Sequence, residues 1–249
     1  MAEGLILAGN VLAAKINSDG TLGALRHLGN ATQFEIKPNS NKKEQKSKMR
    51  GSYGTAITTV LLPEPSEVSI TLQRIDKENL RLQFLGSDVA YAQTAGTVTA
   101  EDTTAVLDGW VHLAAEKISA VTLTNSGATV TYVLGVDYEL NTDLGMYRAI
   151  PGGAITDAAA LKANYTKGAI TDGWAIDGST EASIRVYMLL DGENIASGEL
   201  ITGEFWDVML TPDKALDFLS DDLVEIVLSG SMTKPAAKPS AYRIRGRAA

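Results

Sequence analysis

The residues of this chain best suited to chemistry are two histidines, His27 and His112, and a few acidic groups. Histidine is the usual general base near neutral pH. His27 lies in a strand-like context and His112 in an Ala- and Thr-rich stretch, and neither shares a motif with a nucleophile or a second ligand. Each reads as a surface or packed residue. The pairs Glu101-Asp102 and Asp221-Asp222 could supply the acid and base of glycoside chemistry. That chemistry needs two carboxyls facing each other across a cleft, which adjacency in sequence does not create. They read as solvated loop and helix-end charge. Asp137, Asp143 and Asp157 lack the residue order of a calcium loop. The absence of cysteine rules out disulfides and thiolate metal sites, and two histidines do not make a His-rich one. The glycines of "GNATQFEIKPNS" and "GSYGTAI" precede strands, not the helix a phosphate loop requires. Neither catalysis nor a cofactor is expected.

What remains is a concentration of charge. Between Lys37 and Arg50 stand six basic residues, Lys37, Lys42, Lys43, Lys46, Lys48 and Arg50, against the single acid Glu44. The whole chain is formally −8, so everything outside the stretch Ile36 to Gly54 sums to −13. Three readings compete for this strap. It could be a solvated loop. It could clamp nucleic acid, but such a clamp interleaves aromatics or Arg among its Lys, and here there is one Arg and no aromatic before Tyr53. It could be a hairpin loop of about 14 residues, long enough to suspect a function, that becomes ordered on an acidic partner. Opposite charges on copies of one protein steer head-to-tail association.

At 249 residues, 45% apolar and 21% charged, the chain can bury a substantial core. A sequence pI near 4.9 argues against polyanion binding by the surface as a whole. "GLILAGNVLAA" is apolar, but Glu3 stands where a signal peptide has basic residues, so it reads as a strand. No stretch approaches the roughly 20 apolar residues of a membrane span. The expectation is a soluble protein made in the cytoplasm and held there until a later assembly step.

Strand signals dominate the elements that must position these groups. They occur at 10–16, 32–37, 52–62, 67–75, 183–190, 198–210 and 223–232. Turn signals stand at Asn17-Ser18-Asp19-Gly20, Gly29-Asn30, Pro63-Glu64-Pro65 and Asp191-Gly192-Glu193-Asn194. This density indicates an all-β sandwich or barrel. Two short helices interrupt it. In "IDKENLRLQFLG", Asp76 is the N-cap, Ile75 and Leu80 stand at hydrophobic-staple spacing, and Gly86 is the C′ stop. Leu80, Leu82 and Phe84 also alternate, so a strand remains open there. In "TPDKALDFLS", Thr211 caps, Pro212 occupies the first helical position, and Leu216 and Leu219 face the core.

Composition shifts near residue 87 to an Ala-, Thr-, Gly- and Asp-rich segment. Within it "KISAVTLTNSGATVTYVLGVDYEL" reads as a hairpin turned at Asn125-Ser126-Gly127, with two more strands following. The expected division is a β domain formed by 1–95 and 175–249, with a small β-sandwich inserted at 96–174. Trp206, in "GEFWDVML", must pack hard. Trp174 lies in the Gly-rich "TDGWAIDG", where an aromatic docks on a neighbouring surface within or between subunits. Ala241 to Ile244 could add a last strand to the basic tail "TKPAAKPSAYRIRGRAA".

The order "LGNATQFEIKPNSNKKEQKSKMRGSYGTAITTVLLPEPSEVSITLQRID", followed by "DGENIASGELITGEFWDVMLTPDKALDFLSDDLVEIVLSGSMTK", resembles a tailed-bacteriophage major tail tube protein. The carriers are Gly29-Asn30, the Phe34-Glu35-Ile36 strand, the basic loop and Gly51, the Pro-bounded "VSITLQRID" leading to a helix, and the closing "EIVLSGSM" strand. The resemblance covers roughly 10–86 and 180–247. The inserted segment is similar to an immunoglobulin-like β module of phage virion proteins through Tyr132, Gly135, Asp137, Tyr138, Gly145, Gly152-Gly153 and Tyr165. Simpler tube proteins lack such an insert.

The resemblance implies a β-sandwich or half-open barrel flanked by a helix. Six copies would form a ring whose inner sheets join, and rings would stack head to tail into a tube through which DNA leaves the head. Lys42, Lys43, Lys46, Lys48 and Arg50 would face an adjacent ring, while Gly51, Trp174 and Trp206 serve structure and packing. Acids of the main domain would line the bore, since a basic channel would hold the phosphates and brake the DNA. The insert would decorate the outside, which favours a long non-contractile tail. Implied partners are further copies, the tape measure, tail terminator and tail-tip proteins, and genomic DNA in passage without specific binding. No membrane is implied, and the location is the virion tail, assembled in the host cytoplasm. Alternatives are a decoration or tail-tip subunit, a carbohydrate-binding or adhesion module, and, least favoured, a polysaccharide-active enzyme.

Overall fold

A computed structural model describes residues 4–248, and these are all-β apart from one short helix. It divides into two compact units, Met1–Asp88 with Ile176–Ala249, and Val89–Ala175. The division falls a few residues before 96 and one residue after 174.

The discontinuous unit is built on one sheet. Its strands are β1 (Leu7–Lys15), β2 (Arg26–His27), β3 (Ala31–Lys46), β4 (Ala56–Leu72), β13 (Ile184–Asn194), β14 (Glu199–Pro212), β15 (Ile226–Met232) and β16 (Tyr242–Arg247). Their order is β2-β1-β13-β14-β15-β4-β3, and β16 also pairs with β14. Every adjacent pair is antiparallel. Alternate residues such as Val68, Ile70, Leu72, Val186, Met188 and Val208 turn to one buried face, as the two-residue period of a strand requires. Phe34 of β3 meets Phe205 of β14 edge to face, ring centroids 5.2 Å apart, and Phe205 stacks on Tyr242 at 6.0 Å. Three strand spacings would put β3 and β14 about 14 Å apart in a flat sheet. The sheet is therefore curled around its core, in the half-barrel form rather than as two packed layers.

Helix α1 (Lys77–Gln83) lays Leu80 and Leu82 on that core. Asp76 caps it as expected, its carboxylate accepting from the Asn79 amide at 2.8 Å. The C-terminal end differs. Gly86 N–H bonds the Arg81 carbonyl and Leu85 N–H bonds that of Leu82, so Leu85, at φ 47°, takes the left-handed position assigned to Gly86. Glycine is needed at 86 for another reason: a Cβ there would stand 2.4 Å from Ile176 Cγ2.

Three further expectations are corrected. Residues 211–220 form no helix, because Thr211 and Pro212 continue β14, paired with Ser229 and Leu228. Leu216 does pack against the core, but Leu219 is exposed. Pro63-Glu64-Pro65 is not a turn, because 52–62 and 67–75 belong largely to the single strand β4. Beyond Glu67 that strand has lost β15 as a neighbour, and an edge admits proline. Asp191-Gly192-Glu193-Asn194 likewise stays in β13, and the turn follows at 195–198 with Gly198 at φ 71°.

Two short strands, β5 (Ser87–Val89) and β12 (Ala175–Asp177), pair where the chain passes between units. The second unit contains β6 (Gly96–Thr104), β7 (Trp110–His112), β8 (Ile118–Asn125), β9 (Tyr138–Asn141), β10 (Met146–Ala149) and β11 (Ala160–Lys167). They form two three-stranded sheets, β7-β10-β9 and β6-β11-β8, around Leu123, Tyr138, Tyr147, Ile155, Leu161 and Tyr165. The expected turn at 125–127 is present, with Asn125 Oδ1 accepting from the amides of Thr129 and Val130, but the hairpin is not: the returning chain meets β8 only at the bridge Thr124↔Thr131, and the strand partner of β8 is β11. The three buried tyrosines keep their hydroxyls satisfied. Tyr138 donates to the Val121 carbonyl at 3.2 Å, Tyr147 shares a bond with Thr103 at 2.9 Å, and Tyr165 donates to Glu101.

Candidate functional site

Four of the acidic groups that could have done chemistry, Glu101, Asp102, Asp137 and Asp157, are committed to holding the fold. Glu101 accepts from Tyr165 and from the Ala114 amide, while Asp102 pairs with Lys162 at 2.6 Å. Asp137 accepts from the amides of Val133 and Ala154, each at 2.8 Å, and those bonds hold its carboxyl below the usual carboxylate range. Asp157 accepts from the Leu107 amide. His27 and His112 are both exposed, on β2 and β7. Among the described residues no three His, Cys, Asp or Glu side chains are grouped to hold a metal ion.

The basic strap has a definite shape. It is not an unstructured loop of about 14 residues, because β3 continues through Lys46 and β4 begins at Ala56. Pairing continues through Asn39↔Glu64, Lys42↔Leu61, Lys43↔Val60 and Gln45↔Thr58 to Lys46↔Ala56. The last link to β15 is at Glu67. From Ala56 to Ser66, at about 3.3 Å per residue, the hairpin therefore projects roughly 35 Å beyond the sheet. Its tip is knitted by Ser47, whose amide bonds Thr55 O at 2.8 Å, whose carbonyl accepts from Gly54, and whose hydroxyl meets that of Ser52 at 2.7 Å. Gly54 supplies the left-handed residue of this turn, at φ 84°. Gly51 does not: a Cβ there would meet nothing, so the structure gives no reason for glycine at that position.

Register assigns side chains to the faces of this arm. Lys42, Glu44, Leu61 and Thr59 share one face, and Lys43, Gln45, Val60 and Thr58 the other. Each face thus carries a polar or basic edge from β3 and an apolar edge from β4. Lys42 is neutralised by Glu44, whose carboxyl is lowered by that hydrogen bond, and Lys37 pairs with Glu67 at 3.6 Å. Among the described residues Lys43, Lys46, Lys48 and Arg50 have no acidic partner. Leu61 is 65% exposed and Val60 48%, with Met49, Tyr53, Ile57 and Leu62 also exposed. The sequence marks the cations but not these apolar partners, because alternation alone does not tell a covered β-branched run from an uncovered one.

Trp206 and Trp174 lie elsewhere. Trp206 is half-buried, stacked on Tyr187 at 6.1 Å with the Lys238 ammonium 3.8 Å from its ring centroid. Its indole Nε1 is buried without a hydrogen-bond partner. Trp174, in the second unit, remains 51% exposed.

The outward face of the curled sheet is the second feature. Glu35, Ser69, Ser229 and Thr211 form one row across β3, β4, β15 and β14, and Lys37, Glu67, Ser231 and Met209 the next. With Asp213 they line an open depression of about 540 Å³. It is shallow, not an enclosed cleft: hydroxyls and carboxylates share its lining with Lys37 and the exposed Met209.

No curated protein matches this sequence. A family model matches residues 5–243, and the chain belongs to the family described as protein of unknown function UCP028589.

Proposed function

We propose that this chain is a virion structural subunit that self-assembles as the resemblance to tail tube proteins implies, in stacked hexameric rings that conduct DNA. The observation that carries the reading is the arm formed by β3 and β4. A two-stranded ribbon with both faces exposed, bearing aliphatic side chains and unpaired cations, is at best marginally stable by itself. Such ribbons are aggregation hazards unless they are covered. The remainder of the chain carries the complementary charge, formally −13. Head-to-tail contact between copies covers the arm and repeats without limit unless it closes.

On this reading Lys42, Lys43, Lys46, Lys48 and Arg50 contact the adjacent ring, with Val60 and Leu61 making the apolar part of that contact. The hydroxyl and carboxylate floor, with Glu35, Glu67 and Asp213, is the surface suited to a bore. Its one cation, Lys37, is paired with Glu67, so it offers phosphates no cluster of positive charge and DNA passes without being held. The inserted unit decorates the outside, the tail is non-contractile, and the subunit belongs to the virion. Tape measure, terminator and tip proteins are the further partners this reading implies. Sedimentation velocity of the intact chain beside a variant in which residues 42–61 are replaced by an Asn-Gly turn, closed by the pair Asn41↔Leu62, tests it. Concentration-dependent large species for the intact chain and monomer for the shortened one are expected. Equal behaviour of the two overturns the role of the arm.

A further inference from the structure

Register places an acidic connection with exposed apolar side chains at the end of the sheet opposite the arm. Along β4 the arm extends past Glu67, whereas Leu72, at the other end of the same strand, pairs with Ile226 and Ala31. The connection from Pro212 to Ile226 therefore leaves the sheet at the end opposite the arm. That connection is "DKALDFLSDDLVE". It carries Asp213, Asp217, Asp221, Asp222 and Glu225 against Lys214 alone. It also holds Leu219 and Leu223 at 93% and 92% exposure, and Phe218 exposed beside the Phe84 ring that it stacks on at 5.8 Å. Gln83 of α1 anchors its start through the Lys214 carbonyl at 2.7 Å.

Resting on the tube reading, we infer that segment 213–225 of one copy receives the arm of the next. Both surfaces combine aliphatic side chains with charge, and the charges are opposite. The arm brings Lys43, Lys46, Lys48 and Arg50 with Val60 and Leu61. The segment brings Asp217, Asp221 and Asp222 with Phe218, Leu219 and Leu223. Since they lie at opposite ends of one sheet, joining them is a heterologous contact that propagates along the strand direction. The same pairing accounts for a sequence rich in helix signals that is left with its apolar residues in water: its covering surface belongs to another molecule.

The absence of cysteine makes the test direct. Arg50→Cys and Asp222→Cys variants, each with a single thiol, are mixed under mild oxidation. A mixed disulfide well above that of an Arg50→Cys and Thr129→Cys control pair is expected, falling towards control in 1 M salt, where the Debye length is about 3 Å. Charge exchange gives the second readout. Lys43→Glu with Lys46→Glu should abolish association, and adding Asp221→Lys with Asp222→Lys should restore it. Control-level crosslinking, or association unaffected by Asp221→Lys with Asp222→Lys, while the intact chain still assembles, overturns this pairing and leaves the tube reading standing. Absence of any association by the intact chain overturns both.

Discussion

Val60→Ser combined with Leu61→Ser should weaken self-association strongly while leaving the fold nearly intact. The two side chains stand on opposite faces of the arm, so the pair of changes strips apolar surface from both. Fully burying a valine or leucine is worth about 1.5–3 kcal/mol. The unfolded-state reference is irrelevant here, because the gain on association concerns only surface still exposed in the lone chain, 48% for Val60 and 65% for Leu61. Scaling by those fractions leaves about 2–3 kcal/mol per contact. At about 1.4 kcal/mol per decade, the concentration needed for assembly rises roughly 30- to 150-fold. Neither residue belongs to the buried core, so each serine should change stability by only about 0.5 kcal/mol. For a chain of this size that is a Tm change of no more than about 4 °C. Sedimentation velocity over a concentration series, paired with calorimetry, separates the two effects. Unchanged association together with a large fall in Tm would refute the reasoning, since it would mean the arm packs on its own chain.

Other perturbations test the scaffold. Phe205→Ala removes the ring that joins Phe34 to Tyr242 and should lower the stability of the first unit by about 3–5 kcal/mol in denaturant unfolding. Asp76→Ala leaves the Asn79 amide without its cap and should cost about 1 kcal/mol, with Asp76→Asn close to wild type. Asp137→Asn replaces an acceptor of two amides by a group with one donor end, so it should lower the melting transition of the second unit and leave that of the first unchanged. Because the folded Asp137 carboxyl titrates below its ordinary value of about 4, its stabilisation is complete above that pH and is lost as pH falls through the folded value. Acid unfolding of the second unit should accordingly lose part of its pH dependence in Asp137→Asn.

The legible parts of the sequence were those with local physical causes. Asp76 marked its helix because a cap needs only its own side chain and an amide nearby. Val68, Ile70, Val186 and Met188 marked strands because one face of each is covered. The misread parts depend on partners distant in sequence. Asn39 to Lys46 has no apolar alternation, and it is a strand only because β4 lies beside it. Thr211-Pro212-Asp213 fits a helix start locally, but pairing with Ser229 and Leu228 outweighs that preference. Pro63 and Pro65 looked like a turn because their tolerance at an edge depends on where β15 ends. At the candidate site the cations were visible as composition, whereas the exposure of Val60 and Leu61, and the placing of segment 213–225 at the opposite end, follow only from register.

The proposed assembly is a tube of stacked rings. Negative-stain electron microscopy of the purified protein over rising concentration, at low and at physiological salt, tests it most directly. Rings or hollow tubes with lateral knobs are the predicted result. Compact single particles at every concentration and both salts would contradict it.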